Sequence, residues 1–165
     1  MDDFQLYDEV LTTEQISFLY NNPGSVIGTP ADDFNAYISD PALGLDPGER
    51  GFDQDPDGDN LANGLEAWFS THPGEFNPGL ASLSTDGTVS TFTHPQNETR
   101  PTDVIGFYQW SPNLTDWYAG DGVDGPPSGS TVAFSAETIG TTTTVTATAS
   151  EALDTLFLRA GVAQP

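Results

Sequence analysis

Residues Asp53 to Phe69 read DQDPDGDNLANGLEAWF, and this stretch separates a helix-prone first part of the chain from a β-prone second part. It is also where the negative charge of the chain is packed into an ordered spacing. With Asp55 as position 1 of a twelve-residue loop, Asp57, Asp59, the Leu61 carbonyl, Asn63 and Glu66 fall at positions 3, 5, 7, 9 and 12, the oxygen-donor slots of a calcium loop. A hard cation takes six to eight oxygens at about 2.3 to 2.6 Å, and short Asp side chains on alternate residues of a turning loop point inward to supply them. Glu66 is expected to close the shell with both carboxylate oxygens from the first turn of a helix. In that helix Leu61, Leu65, Trp68 and Phe69 share one face, and His72-Pro73-Gly74 stops it.

Two positions depart from the usual loop. Position 6, commonly Gly at the sharp turn, is Asn60, a residue that tolerates the left-handed backbone better than most. Position 8 is Ala62, too small to build the short ladder by which such loops pair, and no second loop occurs in the sequence. The expectation is therefore a structural calcium clip rather than a paired sensor, with Asp53 as a candidate for a supporting or water-mediated contact just outside the loop. The bland alternative is an Asp/Gly-rich solvated turn that binds nothing.

Charge excludes several partners. The chain of 165 residues has no lysine, three arginines and 25 acids, a formal net charge of -22. A surface this negative repels nucleic acid and anionic membrane, so neither partner is expected. With 36% apolar residues and 11% aromatics the chain can build a hydrophobic core. Cysteine is absent, which rules out disulfides and thiolate metal sites. No apolar run is long enough to span a bilayer, and membrane insertion is not expected. Met1-Asp2-Asp3 does not read as a signal peptide, so the export signal of a secreted protein is expected upstream.

Before the loop, Phe4 and Leu6 alternate with Gln5 and Tyr7 as in a strand, and Thr12 with Gln15 forms a capping box ahead of a helix striped by Ile16, Leu19 and Tyr20. Residues 25–31 read as a linker. Asp32 or Asp33 then caps a short helix with Phe34, Tyr37 and Ile38 on one face, ended by Asp40-Pro41 and packing on the helix after the loop. Beyond Pro78 the texture turns to Thr, Ser and short β-prone runs: 80–83, 88–93, 104–110, 131–136, 142–149 and 155–162. Their spacing, with turn signals between, points to an antiparallel β-sandwich. In the third run Val104, Gly106, Tyr108 and Trp110 share a face opposite Ile105 and Phe107, and SPNLTDW is expected to return Trp117 towards the core. The whole is an α+β chain: residues 1–24 a strand and helix, 25–31 a linker, 32–77 a helix-loop-helix calcium segment, and 78–165 the sandwich.

Three stretches resemble known families. DDFQLYDEVLTTEQISFLY is similar to the closing strand and helix of LamG-like, concanavalin-type domains. DPDGDNLANGLEAW resembles the EF-hand-like loop of single dockerin or thrombospondin type 3 repeats, and of calcium segments near the C-termini of large secreted planctomycete and verrucomicrobial proteins. Carried over, that resemblance implies Asp55, Asp57, Asp59, Asn63 and Glu66 as ligands of Ca2+. FYQWSPNLTDW and LFLRAGV are similar to parts of the small immunoglobulin- or fibronectin III-like sandwich that follows the calcium segment in the same proteins. The resemblance implies an extracellular or cell-surface location.

The remaining candidates carry little specificity. With 25 acids almost any pair could be nominated as glycosidase carboxylates, so no pair stands out. His72 and His94 sit beside prolines without a Cys, a paired His or HExxH spacing, and read as solvated loop histidines. No nucleophile elbow, P-loop or dinucleotide fingerprint occurs. Trp110 and Trp117 are candidates for stacking on a glycan, although their placement favours core packing. Asn97-Glu98-Thr99 and Asn113-Leu114-Thr115 have the form of glycosylation sequons. The expected function is a non-catalytic, calcium-stabilised extracellular module that acts as spacer, adhesion or assembly unit. Within that reading, self-association is a further expectation: the strand Asp3 to Tyr7, donated to a neighbour, would make a filament subunit. The alternative is a carbohydrate-binding module attached to an upstream secreted hydrolase.

Overall fold

The computed structural model describes residues 33–79 and 81–165, together with Thr13, Ile16, Ser17 and Tyr20. These four are helical, and the Ser17 hydroxyl donates to the Thr13 carbonyl at 2.8 Å, within the helix expected after the capping box. The expected strand Asp3 to Tyr7, the rest of the 1–24 segment and the linker 25–31 lie outside the described residues.

Helix α1, Phe34–Ile38, starts at Asp33, whose carboxylate accepts from the Ala36 N–H at 2.8 Å and so satisfies one of the donors that a helix start leaves open. Phe34 and Ile38, one turn apart, are its buried residues. Two 3-10 turns follow, Pro41–Leu43 and Pro47–Glu49, each entered through an Asp-Pro pair. Helix α2, Asn63–Phe69, is shorter than its pattern implied. Leu61 lies ahead of it, because Ala62 is still extended, and Ser70 ends it in the left-handed region before the His72-Pro73-Gly74 stop is reached. Leu61 nevertheless packs beside Leu65 against the same core.

Among the described residues seven strands follow: β1 Ser82–Asp86, β2 Val89–Pro95, β3 Ile105–Ser111, β4 Tyr118–Ala119, β5 Val132–Ile139, β6 Thr142–Ala149 and β7 Phe157–Ala163. They form two antiparallel sheets, ordered β1-β2-β6-β5 and β4-β3-β7. The fold is α+β and β-sandwich-like. Tight turns carrying Gly87 and Gly140, both at positive φ, join β1 to β2 and β5 to β6. The threonine-rich run became β6, where Thr143, Val145, Ala147 and Ala149 alternate inward as the period of two requires. Strand β4 was not foreseen; its two residues follow directly on the turn expected over SPNLTDW.

The core has two parts. Between the sheets, Trp110, Val132, Ala147 and Ala149 are buried, with Tyr118, Phe134 and Leu158 packed around them. The second cluster joins the helices to the sheets: Phe34, Ile38, Ala67, Trp68 and Phe69 pack with Val104, against Tyr108, Ala160 and Val162. Residues 31–165 are one compact unit. The sequence boundary at 77/78 is thus a change of secondary structure and not a gap in packing. Trp68 is the joint. Its ring lies over Gly106, where a Cβ would come within 2.1 Å of it, so only glycine admits this approach.

Candidate metal centre

The loop from Asp55 to Glu66 is held by its own backbone. Asp55 accepts from the N–H groups of Gly58 (2.9 Å), Asp59 (3.2 Å) and Asn60 (2.9 Å). Asp57 accepts from Asp59 N–H at 3.1 Å, and Asp59 accepts from Leu61 N–H at 2.7 Å and Asn77 N–H at 2.8 Å. These bonds turn the chain tightly enough to put Gly58 and Asn60 at φ of 77° and 72°, so Asn60 adopts the left-handed backbone expected of position 6. One carboxylate oxygen from each of Asp55, Asp57 and Asp59 lies within 4.8 Å of the others, and this group could hold a metal ion.

Asn63 and Glu66 lie on α2; Glu66 feels the charges of Asp57, Asp59 and Asp55, but its carboxylate is not among the oxygens that lie within 4.8 Å of one another. Asn63 and Glu66 are both completely buried, an unusual fate for an amide and a carboxylate in so polar a segment. The Asn63 amide nitrogen donates to the carbonyls of Glu49 and Gly51, each at 2.8 Å, and this fixes the amide with its oxygen facing elsewhere. Backbone bonds from Asn63 to the Gln54 carbonyl (2.7 Å) and from Gly64 to the Phe52 carbonyl (2.9 Å) tie the helix start to the segment before the loop. One Glu66 oxygen accepts from the Thr71 hydroxyl at 3.3 Å. Glu66 Oε2, Asn63 Oδ1 and Asp57 Oδ2 are buried without a hydrogen-bond partner. A buried acceptor left unpaired costs about 1–3 kcal/mol, more when charged, so three among the same few side chains require an explanation.

The electrostatics agree. Burial, reinforced by the charges of Asp57 and Asp59, pushes the Glu66 carboxyl up to about 8. Partial burial also raises Asp57, and the charge of Asp59 adds to it. Asp55 goes the other way: desolvation raises it, but the Asn60 and Gly58 N–H groups outweigh that and hold it below the usual carboxylate range. These carboxylates repel one another, and either a proton on Glu66 or a bound cation would relieve that repulsion.

The other predicted residues are placed differently. Leu61 donates its N–H to Asp59, and Asp53 is exposed and outside the three-aspartate group. Trp110 is fully enclosed between the sheets and has no surface to offer a glycan. Trp117 is half-buried but not in the core; the Arg159 guanidinium lies 4.0 Å from its ring centre and covers one face, itself held by Gln109. His94 is a core residue of β2, not a loop histidine. Its Nε2 lies 2.8 Å from the Tyr108 hydroxyl and its Nδ1 2.6 Å from the Pro95 carbonyl. His72 stays in a loop and accepts from Gly74 N–H at 3.1 Å. Residues that the spacing did not reveal include Thr71 and Asn77, which bond to Glu66 and Asp59. No signal in the sequence marks them.

Comparison with protein-family models, with curated proteins and with solved structures finds no match. The site therefore stands on its own geometry. No helix among the described residues is long and apolar enough to cross a membrane.

Proposed function

We propose that the chain is a non-catalytic, calcium-stabilised module of a secreted or cell-surface protein, serving as a spacer, adhesion or assembly unit. The observation that carries the reading is the set of unpartnered buried oxygens on Asp57, Asn63 and Glu66, contributed by the same side chains that occupy positions 3, 9 and 12 of the loop. Asp55 and Asp59 add two more carboxylates, and the Leu61 carbonyl completes a set of oxygens only. Such a set suits Ca2+, which accepts six to eight oxygens in flexible geometry, better than Mg2+, which keeps several waters in a strict octahedron. Bound there, calcium would neutralise the carboxylates and give the orphaned oxygens their missing partner.

The extracellular part of the reading rests on charge and on the likeness of the loop to calcium segments of secreted proteins. Calcium loops of extracellular modules bind with dissociation constants of about 10⁻⁴ to 10⁻³ M, matched to the calcium outside cells. The antiparallel order β1-β2-β6-β5 against β4-β3-β7 supports reading the sandwich as immunoglobulin- or fibronectin III-like. His94 supports the non-catalytic reading, since both ring nitrogens are engaged inside the core. Thermal melts in EDTA and in millimolar calcium test the proposal: calcium is expected to raise the melting temperature, and superimposed curves would remove it.

A further inference from the structure

Helix α2 has seven residues, so its last carbonyls find no partner within the helix. The β2–β3 connection supplies them. Asn97 Nδ2 donates to the Ala67 carbonyl at 2.8 Å, Asn97 N–H to the Trp68 carbonyl at 2.9 Å, and Gln96 Nε2 to Trp68 again at 3.3 Å. Asn97 is 8% exposed, and its amide oxygen accepts from the Thr99 N–H (2.9 Å) and the Thr99 hydroxyl (3.1 Å). Both ends of the amide are therefore occupied and its orientation is fixed. The Asn-Glu-Thr triplet that has the form of a glycosylation sequon is here a turn that grips a helix.

The grip lies next to the metal centre. Ala67 follows Glu66, and Glu66 is the residue expected to give both oxygens to calcium. A bidentate ligand must be placed to about 0.5 Å, a demand that falls on whatever holds its helix. On the far side, Trp68 is seated against Gly106 and His94, which leaves α2 little freedom to rotate once Asn97 has closed its end.

We infer that Asn97 is a positioning residue for Glu66: it holds the C-terminal turn of α2 so that calcium affinity is set from the sandwich, and calcium in turn steadies the sandwich. The inference rests on the calcium reading above. Coupling of this kind is reciprocal, so calcium that is bound more tightly when Asn97 is latched must also tighten the latch.

The test is isothermal titration of calcium into full-length wild type, Asn97→Ala, Thr99→Val and Val132→Ala. Asn97→Ala removes a buried donor and is expected to raise the dissociation constant about tenfold. Thr99→Val, which keeps Asn97 but loosens its oxygen, should weaken binding in the same direction by less, and covers the case in which Asn97→Ala does not fold. Val132→Ala loosens the core between the sheets, away from the latch, and should lower stability in EDTA while leaving calcium affinity unchanged. In hydrogen exchange, calcium should slow the amide of Asn97 in wild type. Wild-type affinity in Asn97→Ala and Thr99→Val, with only the melting temperature reduced, would overturn the inference alone. Wild type that takes up no calcium would remove the calcium reading, and the inference with it.

Discussion

Two acidic turns in this molecule look alike in sequence and differ in structure. Asp121-Gly122-Val123-Asp124 and the loop opening at Asp55 both place aspartates around a glycine at positive φ. In the first, Asp121 accepts from the N–H groups of Val123 and Asp124, each at 2.8 Å, and Asp124 accepts from Ala119 at 2.9 Å. Both aspartates are exposed, and the backbone donors of Asp124 and Val123 hold Asp121 below the usual carboxylate range. In the second, the backbone satisfies the outer aspartates but leaves Asp57, Asn63 and Glu66 each with a buried oxygen unpaired. The difference teaches that acid density does not make a cation site in a chain of charge -22. Buried oxygens without a partner are what mark off the loop at Asp55, whose three aspartates could hold a metal ion.

The largest expected effect that would sharpen this contrast is at Glu66. Glu66→Gln removes the carboxylate that calcium needs. It should abolish most of the calcium response, which in wild type reaches about 1.4 kcal/mol at tenfold excess over the dissociation constant and about 4 kcal/mol at a thousandfold. In EDTA the same substitution should raise the melting temperature only above about pH 8, where Glu66 would otherwise ionise against Asp57 and Asp59. Melts of both proteins in both media check this, and a calcium response that survives in Glu66→Gln would break the contrast.

Next in size is Gly106→Ala. Its new methyl group would meet the Trp68 ring at about 2.1 Å, and overpacking of this kind costs about 1–3 kcal/mol. Near-UV circular dichroism should report a displaced tryptophan.

A buried titrating group whose bonds are complete should behave in the opposite sense to an orphaned one. His94 is held below its ordinary value of 6.5 by burial, only partly offset by the Pro95 carbonyl, and it faces Tyr108, Trp68, Phe69 and Phe92 but no carboxylate among its ring contacts. Because the unfolded chain takes up the proton first, the stability that neutral His94 allows is full above about 6.5 and is lost as the pH falls through that value towards the lowered one. Urea midpoints should therefore fall below pH 6.5 more steeply in wild type than in His94→Gln.

The smallest effect is expected at the second acidic turn. Asp121→Asn should change stability by no more than about 0.5 kcal/mol, as exposed substitutions do, and leave calcium affinity as it was. Calcium binding that weakens in Asp121→Asn would show that the two turns are not different in kind.

The three-aspartate group could be read from spacing, because alternate aspartates are a local fact. So were the helix cap at Asp33 and the inward alternation of Thr143, Val145, Ala147 and Ala149. What escaped was long-range. Asn97 meets Ala67 across 30 residues, and His94 meets Tyr108 across 14. Neither residue type is a core residue by habit, and Asn97 read as part of a sequon, His94 as a solvated loop histidine beside a proline. Trp117 misled for a related reason: a tryptophan after a turn reads as core, whereas Arg159, far along the chain, provides it a cationic cover on the outside.

The central claim is that one calcium ion completes the loop from Asp55 to Glu66. Equilibrium calcium binding to chelator-treated wild type and Glu66→Gln tests it most directly, since diffuse binding to so acidic a chain and binding at one site have different forms. The account predicts one ion per wild-type chain, saturating with a dissociation constant of about 10⁻⁴ to 10⁻³ M, and loss of that step in Glu66→Gln. Weak, unsaturable uptake that is the same in both proteins would contradict it.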